Sequence, residues 1–165
     1  HVVIATIPVG SWPMGVATSP DGAYLFVSNY SSNTVSVIST ADSAVVQTIP
    51  VGARPRSLVT SPDGAYVYVG NLVDYSVSVI RTADFTVIKT IAVHGMIWDL
   101  AASPNGLYVY GVDYLGGTMK VIQTSDFSVV DTVAVGSFPK AVAVSPDSGT
   151  VYVANEQSMS VRIVR

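Results

Sequence analysis

The chain has 165 residues, a net charge of −3 and only 12% charged residues, against 49% apolar residues. This charge balance offers no basic surface to neutralise phosphates, so we expect no nucleic-acid partner. No apolar run approaches the ~20 residues of a membrane-spanning helix, so we expect no membrane insertion, and the absence of cysteine excludes disulfides and thiolate chemistry.

A unit of 42 residues recurs four times along the chain. Val-Gly opens the unit at positions 9, 51 and 135, and Val93-His94 replaces it in the third copy. A Ser-Pro-Asp-Gly turn follows, beginning at Ser19 and Ser61 in the first two copies, and it becomes Ser-Pro-Asn-Gly from Ser103 and Ser-Pro-Asp-Ser-Gly from Ser145. Repeats of this length indicate stacked or radially arranged units. We therefore expect one domain, 1–165, made of an opening segment and four repeats: 1–8, 9–50, 51–92, 93–134 and 135–165.

The second copy shows how each unit is built. Two β-rich runs, 57–61 and 65–70, flank the Pro-Asp-Gly turn, and an Asp-Gly pair in this position indicates a β-hairpin. A polar loop then leads to a third run at 77–82, and Ala-Asp turns the chain into a fourth at 86–91. Each unit is thus predicted to be an antiparallel meander of four strands, a to d.

Strand b of each unit is apolar on both faces, with Tyr or Phe on one side and mostly Val or Leu on the other. A sheet buried on both faces needs a layer above and below it. This favours an all-β fold, a β-propeller of four-stranded antiparallel blades, over a two-sheet sandwich, which has no reason for a regular 42-residue period.

Several strings resemble the YVTN β-propeller repeat of the surface-layer type. They are YLFVSN, YVYVGN and TVYVAN in strand b, VSVI in strand c, and the SPDG turn. The resemblance covers the whole chain and implies a prokaryotic protein that is extracellular, on the cell surface or periplasmic. It also implies a ring of about seven blades. Such proteins share no single activity, so the resemblance implies no catalytic mechanism.

The opening segment predicts how the ring closes. Residues 2–8 align with strand d of the first and second copies, whereas the last copy ends after strand c. We expect this segment to pair with the last blade and to complete a four-bladed ring. Two alternatives fit the same number of strands: a strand-exchanged homodimer with eight blades, and a part of a larger propeller.

The copies differ most in the d-to-a and b-to-c loops, which a meander places at the same end of the ring. Aromatic and basic residues at variable loop positions are typical of a recognition surface, whereas the recurring Asp and Asn residues of turns and strands are interpreted as structural. The alternative for Trp12, Trp98 and Phe138 is that they fill gaps between blades. The predicted ligand-binding residues are Trp12, Tyr30, Arg54, Arg56, Tyr75, His94, Trp98, Asp99, Asp113, Tyr114, Phe138 and Lys140.

No catalytic constellation stands out, because the only histidines are His1 and His94. His94 with Asp99 and Asp113 is the one base and acid grouping in the sequence. A cation held by Asp99, Asp113 and Glu156 is a weaker alternative. We therefore assign no catalytic residue, no metal and no cofactor.

The sequence favours a non-enzymatic binding module that recognises a protein or glycan through its loop face. One alternative is a lyase-like or lactonase-like propeller enzyme with an axial site near His94 and Asp99. The other is a structural segment of a larger surface-layer or adhesin protein.

Overall fold

The computed structural model describes all 165 residues and contains fifteen β-strands in four antiparallel sheets. In the first sheet the strands are β1 (Pro13–Thr18), β2 (Tyr24–Asn29), β3 (Thr34–Ser39) and β4 (Ala44–Pro50). The second has β5 (Pro55–Thr60), β6 (Tyr66–Asn71), β7 (Ser76–Arg81) and β8 (Thr86–Ala92). The third has β9 (Ile97–Ala102), β10 (Tyr108–Asp113), β11 (Thr118–Gln123) and β12 (Val129–Ala134). The last has only β13 (Pro139–Val144), β14 (Val151–Asn155) and β15 (Ser160–Val164).

Within every sheet the strands lie in sequence order, which is the predicted meander. The predicted all-β propeller fold is confirmed. No helix of membrane-spanning length and hydrophobicity occurs.

Each a-to-b turn is built by local hydrogen bonds. In the second repeat the Ser61 hydroxyl donates to the Asp63 carboxylate, which also accepts the backbone N–H of Ala65 at 3.0 Å. These bonds hold the pKa of Asp63 below its ordinary value. The fourth turn residue is left-handed, with φ near 73° at Gly64 and 61° at Ser148, which replaces glycine in the last copy. The recurring turn aspartates are therefore structural, as the sequence indicates.

The core lies between consecutive blades. One face of the first blade contributes Phe26, Val35 and Val37, and the facing side of the second contributes Leu58 and Ile80, all buried. The same repeat positions build the next two interfaces, which contain Tyr68, Val77 and Val109 in one case and Met119, Val142 and Val151 in the other.

An aromatic residue of the c-to-d turn closes the outer end of two of these interfaces. Phe85 meets Tyr24 of the preceding blade edge to face, with ring centroids 5.0 Å apart, and Phe127 meets Tyr66 in the same way at 5.4 Å. Ser43 occupies the matching position of the first blade.

The predicted closure within one chain does not form. Residues 1–9 make no strand, Val2, Val3 and Ile4 are exposed, and the last sheet keeps three strands. The inner strands pack in the order β1, β5, β9 and β13, but no comparable packing joins β13 back to β1. A four-bladed ring needs about 90° between neighbouring blades. Bulky side chains fill each interface, and the blades form an open arc. This geometry agrees with the alternative in which the chain is part of a larger ring.

Candidate functional site

The four inner strands border one cavity of about 340 Å³ at the centre of the arc. Each blade contributes the residue at the same repeat position, and these are Met14, Arg56, Trp98 and Lys140. Asp99 is the only carboxylate in the lining. Each is the second residue of its inner strand, so the repeat places four different side chains at one common position. We call this cavity the axial pocket.

Arg56 is the unpaired cation of the axial pocket. Its guanidinium carbon lies 3.8 Å from the centroid of the Trp98 ring, a close cation–π contact. The two ion pairs of the protein, Arg81 with Asp84 and Lys140 with Glu156, do not involve it, and its buried Nε has no hydrogen-bond partner. Burial lowers the pKa of Arg56, although the charge of nearby Asp99 opposes this shift. A half-buried guanidinium with unused donors favours an anionic ligand.

Asp99 connects three blades. Its Oδ1 accepts the Ser57 hydroxyl at 2.9 Å, and its Oδ2 accepts the backbone N–H of Val142 at 3.1 Å. Ser57 Oγ in turn accepts the N–H of Leu100 at 3.1 Å. The carboxylate is thus fixed in orientation while it borders the cavity.

An aromatic stack supports the pocket wall. Trp98 stacks on Tyr114 with centroids 4.4 Å apart, and Tyr114 contacts Phe138 of the last blade at 4.8 Å. Lys140 Nζ lies 2.6 Å from Glu156 Oε1 and 5.7 Å from the Trp98 centroid. Phe138 and Trp98 therefore do fill space between blades, and Trp98 also faces the cavity.

A second cluster lies on the first two blades. Trp12 stacks on Tyr30 with centroids 6.1 Å apart, and the Arg54 guanidinium lies 5.5 Å from the Tyr30 centroid. Trp12 is 68% exposed and so does not fill a gap between blades. A smaller cavity of about 200 Å³ joins this cluster to Arg56 and Trp98.

The backbone is left-handed at several of the predicted ligand-binding residues. Trp12, Arg54 and Phe138 occupy the same repeat position and have φ between 53° and 54°. In the third copy this left-handed residue is His94, with φ 49°, two positions before the matching Met96. Seven further non-glycine residues, among them Phe85 and Ser148 in turns, are also left-handed, so this conformation belongs to the repeat and does not by itself mark a functional site.

His94 does not belong to the axial pocket. It is exposed and borders a separate open depression with Tyr75 and Asp113. Asp113 is buried, and its Oδ1 accepts the N–H groups of Met96 at 2.9 Å and Gly116 at 3.1 Å. The expected axial grouping of His94 with Asp99 is therefore corrected: the irregular d-to-a loop of the third copy directs the two residues to different cavities.

The suggested cation site is also not formed. No group of three or more histidine or acidic side chains is placed to hold a metal ion. Asp113 is engaged by its own loop, and Glu156 pairs with Lys140, so neither converges with Asp99.

Two contributors to the site are absent from the predicted ligand-binding residues. Ser57 orients Asp99, and Met14 completes the set of four matched positions. The repeat alone places Met14 at the same position as Arg56, Trp98 and Lys140. The role of Ser57 could not be predicted, because it depends on contact between blades.

Residues 3–90, just over half of the chain, match the family described as lactonase, 7-bladed beta-propeller. The chain belongs to this lactonase family. The YVTN resemblance thus identified the propeller fold, whereas the specific YVTN surface-layer assignment is not supported. No curated protein matches the sequence.

Solved structures similar to this lactonase-family chain are about twice its length. Hydrazine synthase of Kuenenia stuttgartiensis is 27% identical with a TM-score of 0.88, covering 99% of this chain and 49% of that one. A proposed 6-phosphogluconolactonase of Bacteroides uniformis is 21% identical with a TM-score of 0.80, covering 92% and 49%. Another from Bacteroides fragilis is 22% identical with a TM-score of 0.81, again covering 92% and 49%. At 21% and 22% identity, the similarity to the two Bacteroides proteins shows a shared fold alone.

Proposed function

We propose that the axial pocket is one wall of a lactone-hydrolysing site for an anionic, sugar-like substrate. The observation that carries this proposal is Arg56, a half-buried cation without an anionic partner, stacked on Trp98 in a cavity of about 340 Å³. Membership of the lactonase family supports the reaction type, and two similar structures are named as proposed 6-phosphogluconolactonases. The enzyme alternative is therefore preferred here to the non-enzymatic binder.

Each lining residue has a role in this proposal. Arg56 and Lys140 bind the anionic group of the substrate, and the Trp98 face contacts the apolar side of its ring. Asp99 accepts a proton from a water molecule, whose oxygen attacks the lactone carbonyl carbon. The ring C–O bond then breaks, and the proton passes to the departing ring oxygen, giving a hydroxy acid. Ser57 keeps the Asp99 carboxylate oriented for this transfer.

The chain spans about half the length of the similar solved structures, so the opposite wall of the site comes from further blades. The wall that the arc supplies contains the charged residues Arg56, Asp99 and Lys140. That the complete ring hydrolyses lactones is therefore part of this proposal.

Hydrolysis of gluconate δ-lactone, with and without a 6-phosphate, tests this proposal by acid release in a pH-stat. We expect Asp99→Asn to lower kcat at least ~100-fold, since a general base contributes about that much. Arg56→Gln should raise KM at least ~10-fold for the phosphorylated substrate and less for the neutral one, since about 1.4 kcal/mol of binding is a tenfold change.

Arg81→Gln is the matched control. Arg81 is also an arginine of the second blade, but it pairs with Asp84 in an exposed c-to-d turn away from the pocket. Wild-type protein without lactonase activity, or equal losses in Arg56→Gln and Arg81→Gln, would contradict the proposal.

A protein or glycan ligand at the loop face is the second candidate. The exposed Trp12, its stack on Tyr30 and the adjoining cavity of about 200 Å³ favour it. A Trp12→Ala variant that retains lactone hydrolysis but loses retention on a glycan array would support this function. An extracellular, cell-surface or periplasmic location stays a prediction.

A further inference from the structure

The smaller cavity of about 200 Å³ beside the axial pocket has an almost wholly apolar lining. Its walls are Trp12, Met14, Tyr30, Arg56, Leu72 and Trp98. Arg56 is the only charged residue among them, and none is an acid, an amide, a serine or a threonine. The axial pocket, by contrast, includes Asp99, Ser57 and Lys140. We call the smaller space the side cavity.

The repeat explains why a space opens at this point. Leu72 is the first residue after strand β6, and its N–H donates to the Arg54 carbonyl at 3.1 Å. The matching residues of the other blades make the same backbone bond at 2.9 to 3.0 Å, and they are Tyr30, Tyr114 and Glu156. Leu72 has the shortest side chain of the four. In the second blade, between two blades that carry tyrosine here, leucine leaves unfilled volume that a tyrosine would occupy.

Arg56 and Trp98 border both cavities. The Arg56 guanidinium carbon lies 3.8 Å from the Trp98 centroid, and Tyr114 supports the other side of this stack with ring centroids 4.4 Å apart. The stacked pair therefore connects the anion-binding part of the axial pocket to the side cavity. A ligand whose anionic group binds Arg56 has an apolar space beside that group.

The lining of the side cavity favours an apolar group over a second sugar ring. Hydroxyl groups buried there would lack hydrogen-bond partners, since the one hydroxyl of the lining, that of Tyr30, lies 3.4 Å from Nη1 of Arg54. An alkyl group leaves water for this cavity without such a cost. The charge of Arg56 and the apolar walls together fit a molecule with one anionic and one apolar end.

We propose that the side cavity binds a short alkyl chain of the ligand whose anionic group binds Arg56. The ligand is then an amphiphile with an acidic head and an apolar tail. This inference rests on the proposed function for its substrate, which becomes a lactone that carries an alkyl substituent next to its anionic group. The product is the corresponding hydroxy acid.

Binding of linear alkyl carboxylates tests the tail site without any hydrolysis step. Acetate, butanoate, hexanoate and octanoate are titrated into the chain of residues 1–165 by isothermal titration calorimetry. We expect the affinity to rise about fourfold for each added methylene until the cavity is filled, as burial of one CH₂ predicts.

The outcome separates this inference from the proposed reaction. An affinity that does not increase with chain length, or no measurable binding of octanoate, overturns the side-cavity proposal even if lactones are hydrolysed. A rising affinity in a protein that hydrolyses no lactone supports the tail site and contradicts only the reaction.

Leu72→Phe should fill the side cavity, so octanoate should bind no more tightly than butanoate while the affinity for acetate stays unchanged. Val73→Phe is the matched control, because Val73 is the next residue, is 45% exposed and lies outside the lining. Equal loss of octanoate binding in the two variants would contradict the proposed location of the tail.

Two further variants keep the test decisive if Leu72→Phe fails to fold. Leu72→Ala enlarges the cavity, so the affinity should keep rising at chain lengths where that of the wild type has levelled off. Arg56→Gln should weaken all four carboxylates, at least ~10-fold and by about the same factor, because it removes the charge that binds the head. Unchanged octanoate binding in Arg56→Gln would show that the carboxylate binds elsewhere, and the proposal would be wrong.

Discussion

The surroundings of each charged residue decide its role in this protein. Arg81 donates two hydrogen bonds to Asp84 and stabilises an exposed turn, whereas Arg56 stacks on Trp98 without an acid. The sequence distinguishes the two only in part. Asp84 lies three residues after Arg81, which suggests a local pair, but the isolation of Arg56 depends on the positions of all other acids.

The Arg81 and Asp84 pair makes stability depend on pH. Hydrogen bonding from Arg81 lowers the pKa of Asp84 to about 2, whereas exposed aspartate in an unfolded chain has a pKa of about 3.9. The folded pKa is the lower one, so the stabilisation is complete above about pH 4 and is lost as the pH falls through about 2.

Melting temperatures of wild type and Asp84→Asn across this range measure the effect. We expect the variant to melt lower at pH 6 and the difference to shrink toward zero near pH 2. A difference that does not change with pH would mean that the carboxylate charge has no part in it.

At the scale of the elements, the repeat predicted the strands well and the loops poorly. The four strands predicted for the second copy lie within about two residues of β5, β6, β7 and β8, because alternation and turn residues act locally. The sequence predicts Arg56, Trp98 and Lys140 in variable loops, but each is the second residue of an inner strand, in β5, β9 and β13. Their convergence, and the diversion of His94 and Asp113, follow from contacts between blades that no local pattern encodes.

Phe127 tests the packing at the outer end of a blade interface. It is half-buried against Tyr66, so Phe127→Ala should lower the free energy of unfolding by about 2 kcal/mol, less than a fully buried Phe would. Urea denaturation measures this change. Ser43→Ala is the control at the matching position, with a similar backbone and no aromatic partner, and it should change stability by less than about 0.5 kcal/mol. Equal losses would show that the turn, not the aromatic contact, sets the stability.

At the scale of the whole molecule, the four blades were predictable and the closure was not. Residues 2–8 resemble strand d but form no strand in the structure, and the angle between blades depends on how side chains fill each interface. Those side chains, such as Phe26 and Tyr68, give an open arc. A sequence pattern repeats identically in rings of any size, so it carries no information on the angle.

The open arc should be least stable at its last blade. In the chain of residues 1–165 we expect the amides of β15 to exchange with deuterium faster than those of β7. The strand β7 is paired on both sides, whereas β15 pairs only with β14. Hydrogen exchange followed by mass spectrometry gives the comparison, and equal protection of the two strands would contradict it.

The axial pocket is bounded by inner strands that form only an arc. A ligand in this pocket would contact three different blades at once, through Arg56, Trp98 and Lys140. It would then hold neighbouring blades together, and a ligand that binds only the folded arrangement raises the melting temperature.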